Sequence, residues 1–393
     1  MRSIDVEERR ARLGVRQCLA PSSYAADPDG LARSLVALHS TDPATVHLTA
    51  AARIPGVTVA DVERALYDDR LLLRMLGMRR TVFVVPDELA PVVQAACTAD
   101  VAVRERKVLL KHLAESGIAP DQAAADVWLK EVEDATAAAL AARGSALASE
   151  LSEDVPRLRE RLVLGVGKNY ASRPMVTNRV LSQLAAQGRI VRGRPRGSWV
   201  SSQYRWSPVE RWIPGGLPVV PPDEARAALT RRWLGAFGPA TLADLRWWAG
   251  WTAAQARKAL AAVGAVEVAL DGATGYVLPD DVEPVAAPEP WVALLPSLDP
   301  TPLGWKEREW YVGDHSAALF DDTGNIGTTV WADGRIIGAW GQQGTEVVTR
   351  LLYDVGREAR DAVTTAAAHL TDWLAATRIT PRFRSPVERE LST

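Results

Sequence analysis

One arrangement, helices followed by a short two-stranded hairpin, recurs three times along this 393-residue chain. Few folds accommodate such a repeat. In the first copy, residues 31–38 and 44–53 carry helical apolar spacing, and 59–67 form a third helix with Thr58 as its N-cap. Residues 72–76 and 81–85 then flank Gly77-Met78-Arg79-Arg80 as strand, turn and strand. The second copy has short helices at 146–151 and 155–162. A longer helix follows at 173–187, opened by Ser172-Arg173-Pro174 and stopped by Gly188. Its hairpin pairs 189–192 with 199–206 around Gly193-Arg194-Pro195-Arg196-Gly197. The third copy places helices 241–249 and 253–263 about Gly250-Trp251-Thr252, then strands 266–270 and 275–278 joined near Asp271-Gly272.

Helices with a two-stranded wing are the winged-helix pattern. Residues 88–143 read as long, Ala-rich connecting helices, and Pro- and Gly-rich joints fall at 214–218 and 284–290. After Trp291 the pattern turns to strands: 291–295, then 328–340 with a hairpin signal at Asp333-Gly334, then 346–353, with a closing helix over 357–376. The expectation is an α+β chain of three tandem winged-helix units with connecting helices and a C-terminal β-rich region. Its divisions fall at 1–87, 88–143, 144–213, 222–283 and 290–393.

Charge is distributed unevenly over this plan. From Arg157 to Arg211 there are twelve basic residues and two acidic ones, a segment of +10 in a chain of net charge −2, leaving −12 elsewhere. The run falls on the middle unit's helix and wing. Arginines so placed attract a phosphate backbone, with a solvated basic face as the alternative. Protein-binding winged helices with no DNA role fit the run poorly. Two cysteines, Cys18 and Cys97, are too few for a disulfide framework or a zinc site. The first residues lack an apolar signal core and no run approaches a membrane span. Gly165-Val166-Gly167-Lys168 lacks the spacing and flanks of a phosphate loop. These features predict a cytoplasmic monomer, nucleoid-associated when bound to DNA, with duplex DNA as partner and no membrane, nucleotide, metal or other cofactor.

Three stretches carry a resemblance. They are Met78-Arg79-Arg80-Thr81-Val82-Phe83-Val84-Val85, the run Gly238-Pro239-Ala240-Thr241-Leu242-Ala243-Asp244-Leu245-Arg246-Trp247-Trp248-Ala249-Gly250, and Leu294-Leu295-Pro296-Ser297-Leu298-Asp299-Pro300 with Leu303-Gly304-Trp305-Lys306-Glu307-Arg308. Over nearly the whole chain the sequence resembles the bacterial winged-helix DNA glycosylases of the AlkZ and YcaQ type. That resemblance implies three tandem winged helices forming a concave basic surface for duplex DNA. It also implies removal of alkylated purines, bulky or cross-linked ones included, by cleavage of the N-glycosidic bond. The family's chemistry sits on Gln-apolar-Gln or Gln-apolar-Asp. The matching positions here are His39-Ser40-Thr41, followed by Asp42 and Pro43. The first wing departs too, with Arg80 in place of a glycine and Phe83 where a histidine is common.

An N7-alkylated purine is cationic and leaves without a strong acid, so the protein must mainly position a water and steady the cationic sugar. His39 is the candidate to position or activate that water, Thr41 to hold it, and Asp42 to offset developing charge. Each has a plainer reading. Asp42 before Pro43 is a helix N-cap, Thr41 caps the same turn, and His39 is a helix C-terminal residue favoured by the dipole. His47 is a surface or packing residue, and His112, His315 and His369 stand isolated. DNA contacts are expected from Arg79 and Arg80 on the first wing, Arg192, Arg194 and Arg196 on the second, and Lys306 and Arg308. Of the fourteen tryptophans, Trp233, Trp247, Trp248 and Trp251 pack the third unit; for Trp199 and Trp206, DNA contact and wing packing both stay open. The competing functional expectation is a non-catalytic regulator or lesion sensor that kept the surface and lost the glutamines.

Overall fold

The computed structural model describes residues 1–165 and 171–392. Lys168 of the basic run, with Val166 and Gly167 of the rejected phosphate loop, lies outside the described residues. In the first helix–hairpin unit the helix Pro28–Ser34 is capped by Asp27, which accepts from the Gly30 N–H at 2.7 Å. It stops well short of the expected residue 38 because Val36 takes a left-handed backbone, φ 65°. A β-branched residue holds that conformation only where packing fixes it, and Val36 is fully buried. The chain then extends. Leu38–His39 (β1), Leu72–Leu76 (β2) and Val82–Pro86 (β3) form an antiparallel sheet ordered β1-β3-β2, with His39 opposite Phe83. His39 therefore lies on a strand, and the helix-dipole reading of it is corrected. Asp42, not Thr41, caps the next helix Pro43–Ala51, accepting from Ala44 N–H at 3.0 Å. Thr58 caps its helix as the sequence predicts, and does so in a capping box with Asp61.

The second helix–hairpin unit packs together with its neighbouring helices. The helices Ala99–Glu115 and Gln122–Arg143, expected as connectors, share one core with Ala148–Asp154 and Thr177–Ala186, built from Leu109, Leu113, Leu129, Val132, Leu151, Val180 and Leu184. The short helix expected at 155–162 is a single turn, Pro156–Arg159. The longer helix starts at Thr177 rather than residue 173, since Ser172 and Met175 bridge back to Leu164 and Arg161. Its hairpin is Ile190–Pro195 (β4) with Tyr204–Pro208 (β5). The second strand does not begin at 199, because Trp199 is drawn into a buried pocket against His47 and Trp373, at 4.9 and 5.7 Å. Trp206 is buried in the unit's own core. Trp199 is thus taken up by packing, while Trp206 packs in that core and also borders the cleft of the second hairpin.

In the third unit Pro222–Phe237, Leu242–Ala249 and Ala253–Ala262 pack on Ala240–Thr241 (β6), Val266–Leu270 (β7) and Ala273–Val277 (β8), ordered β6-β8-β7. Thr241 and Thr252 both form capping boxes, and Gly250 at φ 76° turns the chain between the helices. The C-terminal region is an antiparallel meander of Val292–Leu295 (β9), Thr329–Ala332 (β10), Arg335–Gln343 (β11) and Glu346–Leu351 (β12). Asp333 and Gly334, at φ 46° and 82°, make the expected two-residue turn. The helix Gly356–Leu374 packs on β9 and β12.

These parts meet in a shared interior. One apolar core runs from Met78 and Phe83 through Trp233, Trp248 and Trp251 to Trp305, Tyr311 and Trp331. At its edge lies a fully buried ion pair. Arg53 and Asp299, both 0% exposed, meet in bidentate geometry at 2.7 and 2.9 Å. The other guanidinium hydrogens donate to Gln17 O, Thr49 O and Thr301 Oγ1, so all five are used. Removing one partner strands the other charge. Arg53→Met is predicted to lower unfolding free energy by about 3–5 kcal/mol in urea denaturation, and Arg53→Met with Asp299→Asn by less than Arg53→Met alone. A loss below about 1 kcal/mol for Arg53→Met would contradict this role.

Candidate nucleic-acid cleft and reaction site

Residues 39–42 leave β1 and enter the helix Pro43–Ala51, so each side chain faces a different environment. His39 is 3% exposed, edge-on to Phe83 at 5.0 Å, and its Nδ1 accepts from the Thr41 N–H at 3.4 Å. Burial, reinforced by the Arg79 guanidinium, pulls its pKa down to about 3. The imidazole is neutral and enclosed. Ser40 is buried, donates its N–H to Val82 O at 2.8 Å, and accepts at Oγ from Arg74 Nε at 2.6 Å. Thr41 is half-buried, and its Oγ1 accepts from the Val82 N–H at 3.5 Å. Asp42 is buried with both oxygens engaged: Oδ1 takes the helix-capping N–H, and Oδ2 takes the Arg382 N–H at 2.8 Å.

Of the three candidate catalytic residues, Thr41 alone lines the large cleft beside them. This cleft, about 680 Å³, runs between Thr41, Asn178 and Ser182 on the helix Thr177–Ala186, Arg192, Arg196, Tyr204 and Trp206 on the second hairpin, and Arg382. No carboxylate lines it among the described residues. Ser182 and Arg192 also line a neighbouring hollow that reaches Arg80, Arg179 and His112, so the concavity continues toward the first hairpin. Behind the cleft Arg74 is fully enclosed. It donates to Tyr67 Oη at 2.7 Å and lies 4.5 Å from the Tyr204 ring centre.

The predicted DNA-contacting residues separate into three kinds. Arg192 and Arg196 face the cleft without an ion pair among the described residues; Arg192 sits 5.4 Å over Trp206 and is shifted down by burial. Arg194 and Arg80 are exposed but committed, Arg194 to Glu63 and Asp68 at 2.7 and 3.0 Å, Arg80 to Glu105 at 2.5 Å. Arg79 and Arg308 lie over Trp247, at 3.9 and 5.6 Å, away from the cleft. Burial, then the Arg308 charge, lowers the Arg79 pKa to about 10. The Lys306 side chain is exposed, while its N–H and that of Glu307 are held by buried Asp244 at 2.8 and 2.9 Å.

The basic run is thus partly neutralised by acids from outside it. Arg157, Arg189, Arg194 and Arg205 pair with Glu131, Asp134, Glu63 with Asp68, and Glu150. Sequence reading missed Arg74, Asn178, Ser182, Tyr204 and Arg382. A lone arginine in an apolar strand was the available signal for Arg74; Arg382 gave none. His47 is buried in packing against Trp199 and is pulled to about 3, by burial first and then by Arg74. Among the described residues no three His, Cys, Asp or Glu side chains converge as a metal site requires, and no helix is long and apolar enough to cross a membrane.

The family described as DNA glycosylase AlkZ-like matches residues 32–373. An interstrand DNA cross-link repair glycosylase of Streptomyces sahachiroi is 29% identical over 200 residues, 49% of this chain and 53% of that protein. The matched stretch therefore spans about half of that relative's length. The solved structure of the Streptomyces sahachiroi DNA glycosylase AlkZ superposes with a TM-score of 0.74 at 22% identity, covering 97% of this chain and 99% of that one, and so shares its mixed helix-and-sheet fold. With most of its length inside the family's matched region, the chain belongs to the AlkZ-like DNA glycosylase family.

Proposed function

We propose that this protein is a DNA-repair glycosylase that hydrolyses the N-glycosidic bond of alkylated purines in duplex DNA, bulky adducts included. In this reading the three helix–hairpin units are winged helices, bounded near 1–87, 144–213 and 222–283, and the protein works as a monomer on damaged duplex. The observation that carries the reading is Thr41, the last residue at the motif position, opening into a cleft that bears arginines and, among the described residues, no carboxylate. A phosphate backbone suits that charge.

The chemistry follows from what each side chain has free. An N7-alkylpurine cation needs no acid. Water oxygen bonds to C1′, the C1′–N9 bond breaks with its electron pair passing to the purine, and the water's proton goes to solvent. Thr41 Oγ1 holds the water. His39, enclosed and neutral, is a positioning residue that fixes the Thr41 amide. Asp42, next to Thr41, supplies negative charge from behind while its oxygens stay bonded to backbone. Arg192 and Arg196 hold phosphates. A second reading, a lesion binder without hydrolysis, is favoured by one observation: the acid nearest the motif already serves two backbone amides.

Incubation with duplex carrying N7-methylguanine separates the two. The glycosylase reading predicts abasic sites, with Thr41→Val slower by on the order of 10²-fold in single turnover. No abasic product from any N7-alkyl or bulky purine lesion, with salt-sensitive duplex binding intact, would leave the binder.

The histidines give a separate prediction about pH. Both His39 and His47 are depressed to about 3 in the folded chain, from an ordinary 6.5. The unfolded chain therefore binds more protons between these values. Their contribution is fully present above about pH 6.5 and is lost as pH falls toward 3, each costing up to about 1.4 kcal/mol per pH unit. His39→Gln should flatten the pH dependence of urea stability below pH 6.5 by about one proton. The excision rate should show no inflection near pH 6.5. Such an inflection, abolished in His39→Gln, would show an accessible base instead.

A further inference from the structure

The C-terminal segment 375–385 lies beyond residue 373, where the match to the family ends, and forms a strap that contributes Arg382 to the cleft. It is tied down along its length. Gln342 accepts from the Ile379 N–H at 2.7 Å and donates to Thr377 O at 2.9 Å, and Ser297 Oγ donates to Phe383 O at 3.0 Å. At its centre the Arg382 N–H hangs on Asp42, the residue after Thr41, at 2.8 Å. The backbone of Arg382 is thus fixed to the motif, while its side chain is exposed, lines the cleft, and has no ion pair among the described residues. Its neighbour Arg384 is different, pairing with Glu388 at 2.6 Å.

Arg382 shares the cleft with Arg192 and Arg196 and, among the described residues, no acid, and its charge is one of those that act on Arg192. Like charges converging on a concavity repel unless an anion lies between them. A phosphodiester has the charge and the two free oxygens that a guanidinium fork matches. We propose that Arg382 is a positioning residue that grips the phosphate beside the target nucleotide, opposite Arg192, and so holds the sugar carbon over Thr41. The proposal deepens the glycosylase reading and rests on it for the sugar's placement. The strap makes this geometry stiff, because the gripping residue and the motif share the Asp42 carboxylate.

The test uses the full chain, Arg382→Gln and Arg382→Lys, and duplex with one N7-methylguanine. Arg382→Gln should reduce the slope of log affinity against log salt by about 0.9, one phosphate's worth. It should slow single-turnover excision about 10-fold, with an unchanged melting midpoint because the Asp42 bond uses the backbone. Arg382→Lys should restore the salt slope but only part of the rate, since an ammonium lacks the fork. An unchanged slope and rate in Arg382→Gln would overturn the proposal, as would a slope that Arg382→Lys fails to restore. If the wild-type protein makes no abasic sites, the enzyme reading falls by itself. A slope still reduced in Arg382→Gln then keeps the phosphate grip, and an unchanged slope removes that too.

Discussion

The Arg53–Asp299 pair is the joint on which the molecule's arrangement depends. Arg53 lies just past the end of the helix that Asp42 caps, and Asp299 lies in the loop after β9, 246 residues away. Burying two charges is costly unless every donor and acceptor is met, and here the neighbours supply each one. Gln17 extends the node, accepting from Thr301 and donating to Ala236 O at 2.7 Å. First unit, third unit and C-terminal region are joined in one polar cluster. A shift of the Pro43–Ala51 helix would break it, so the start of that helix, with Asp42 and the motif beside it, is held in place from its far end.

Two other buried aspartates repeat the device at smaller scale. Asp244 caps its own helix through Thr241 and also holds the amides of Lys306 and Glu307. Asp42 caps its helix and holds Arg382. In each case a carboxylate spends one oxygen on a helix N-terminus and the other on a distant backbone. The consequence for chemistry is direct. The acid beside Thr41 has both oxygens in backbone hydrogen bonds, while the polar groups lining the cleft are hydroxyls, carboxamides and arginines. That set suits a leaving group that is already charged, and suits poorly any reaction that needs a proton donated to it.

Local signals were legible where one residue's geometry decides the structure. Thr58 and Thr252 start their helices, and Asp333-Gly334 turns its hairpin, because capping and positive φ are properties of those residues alone. The long helices of 88–143 were legible as helices, yet their partner was not, since the apolar face of Gln122–Arg143 says nothing of which core it joins. β1 was hidden because two residues are too few to show alternation and Val36 breaks the helical pattern by tertiary packing. The cleft was half legible: Thr41, Arg192 and Arg196 were named from the motif and the basic run. Arg74, Tyr204 and Arg382 were not, since their meeting depends on contacts across more than a hundred residues. Arg194 looked as free as Arg196 in sequence; only the fold brings Glu63 and Asp68 to it.

In the proposed complex the damaged nucleotide sits in the cleft between Thr41 and the second hairpin. A duplex carrying one photoreactive diazirine-bearing purine, irradiated in complex and followed by peptide mapping, tests that placement most directly. Labelling is expected at Thr41, Asn178 or Tyr204. Labelling confined to the Arg79–Trp247–Arg308 surface, with the cleft residues unmodified, would contradict it.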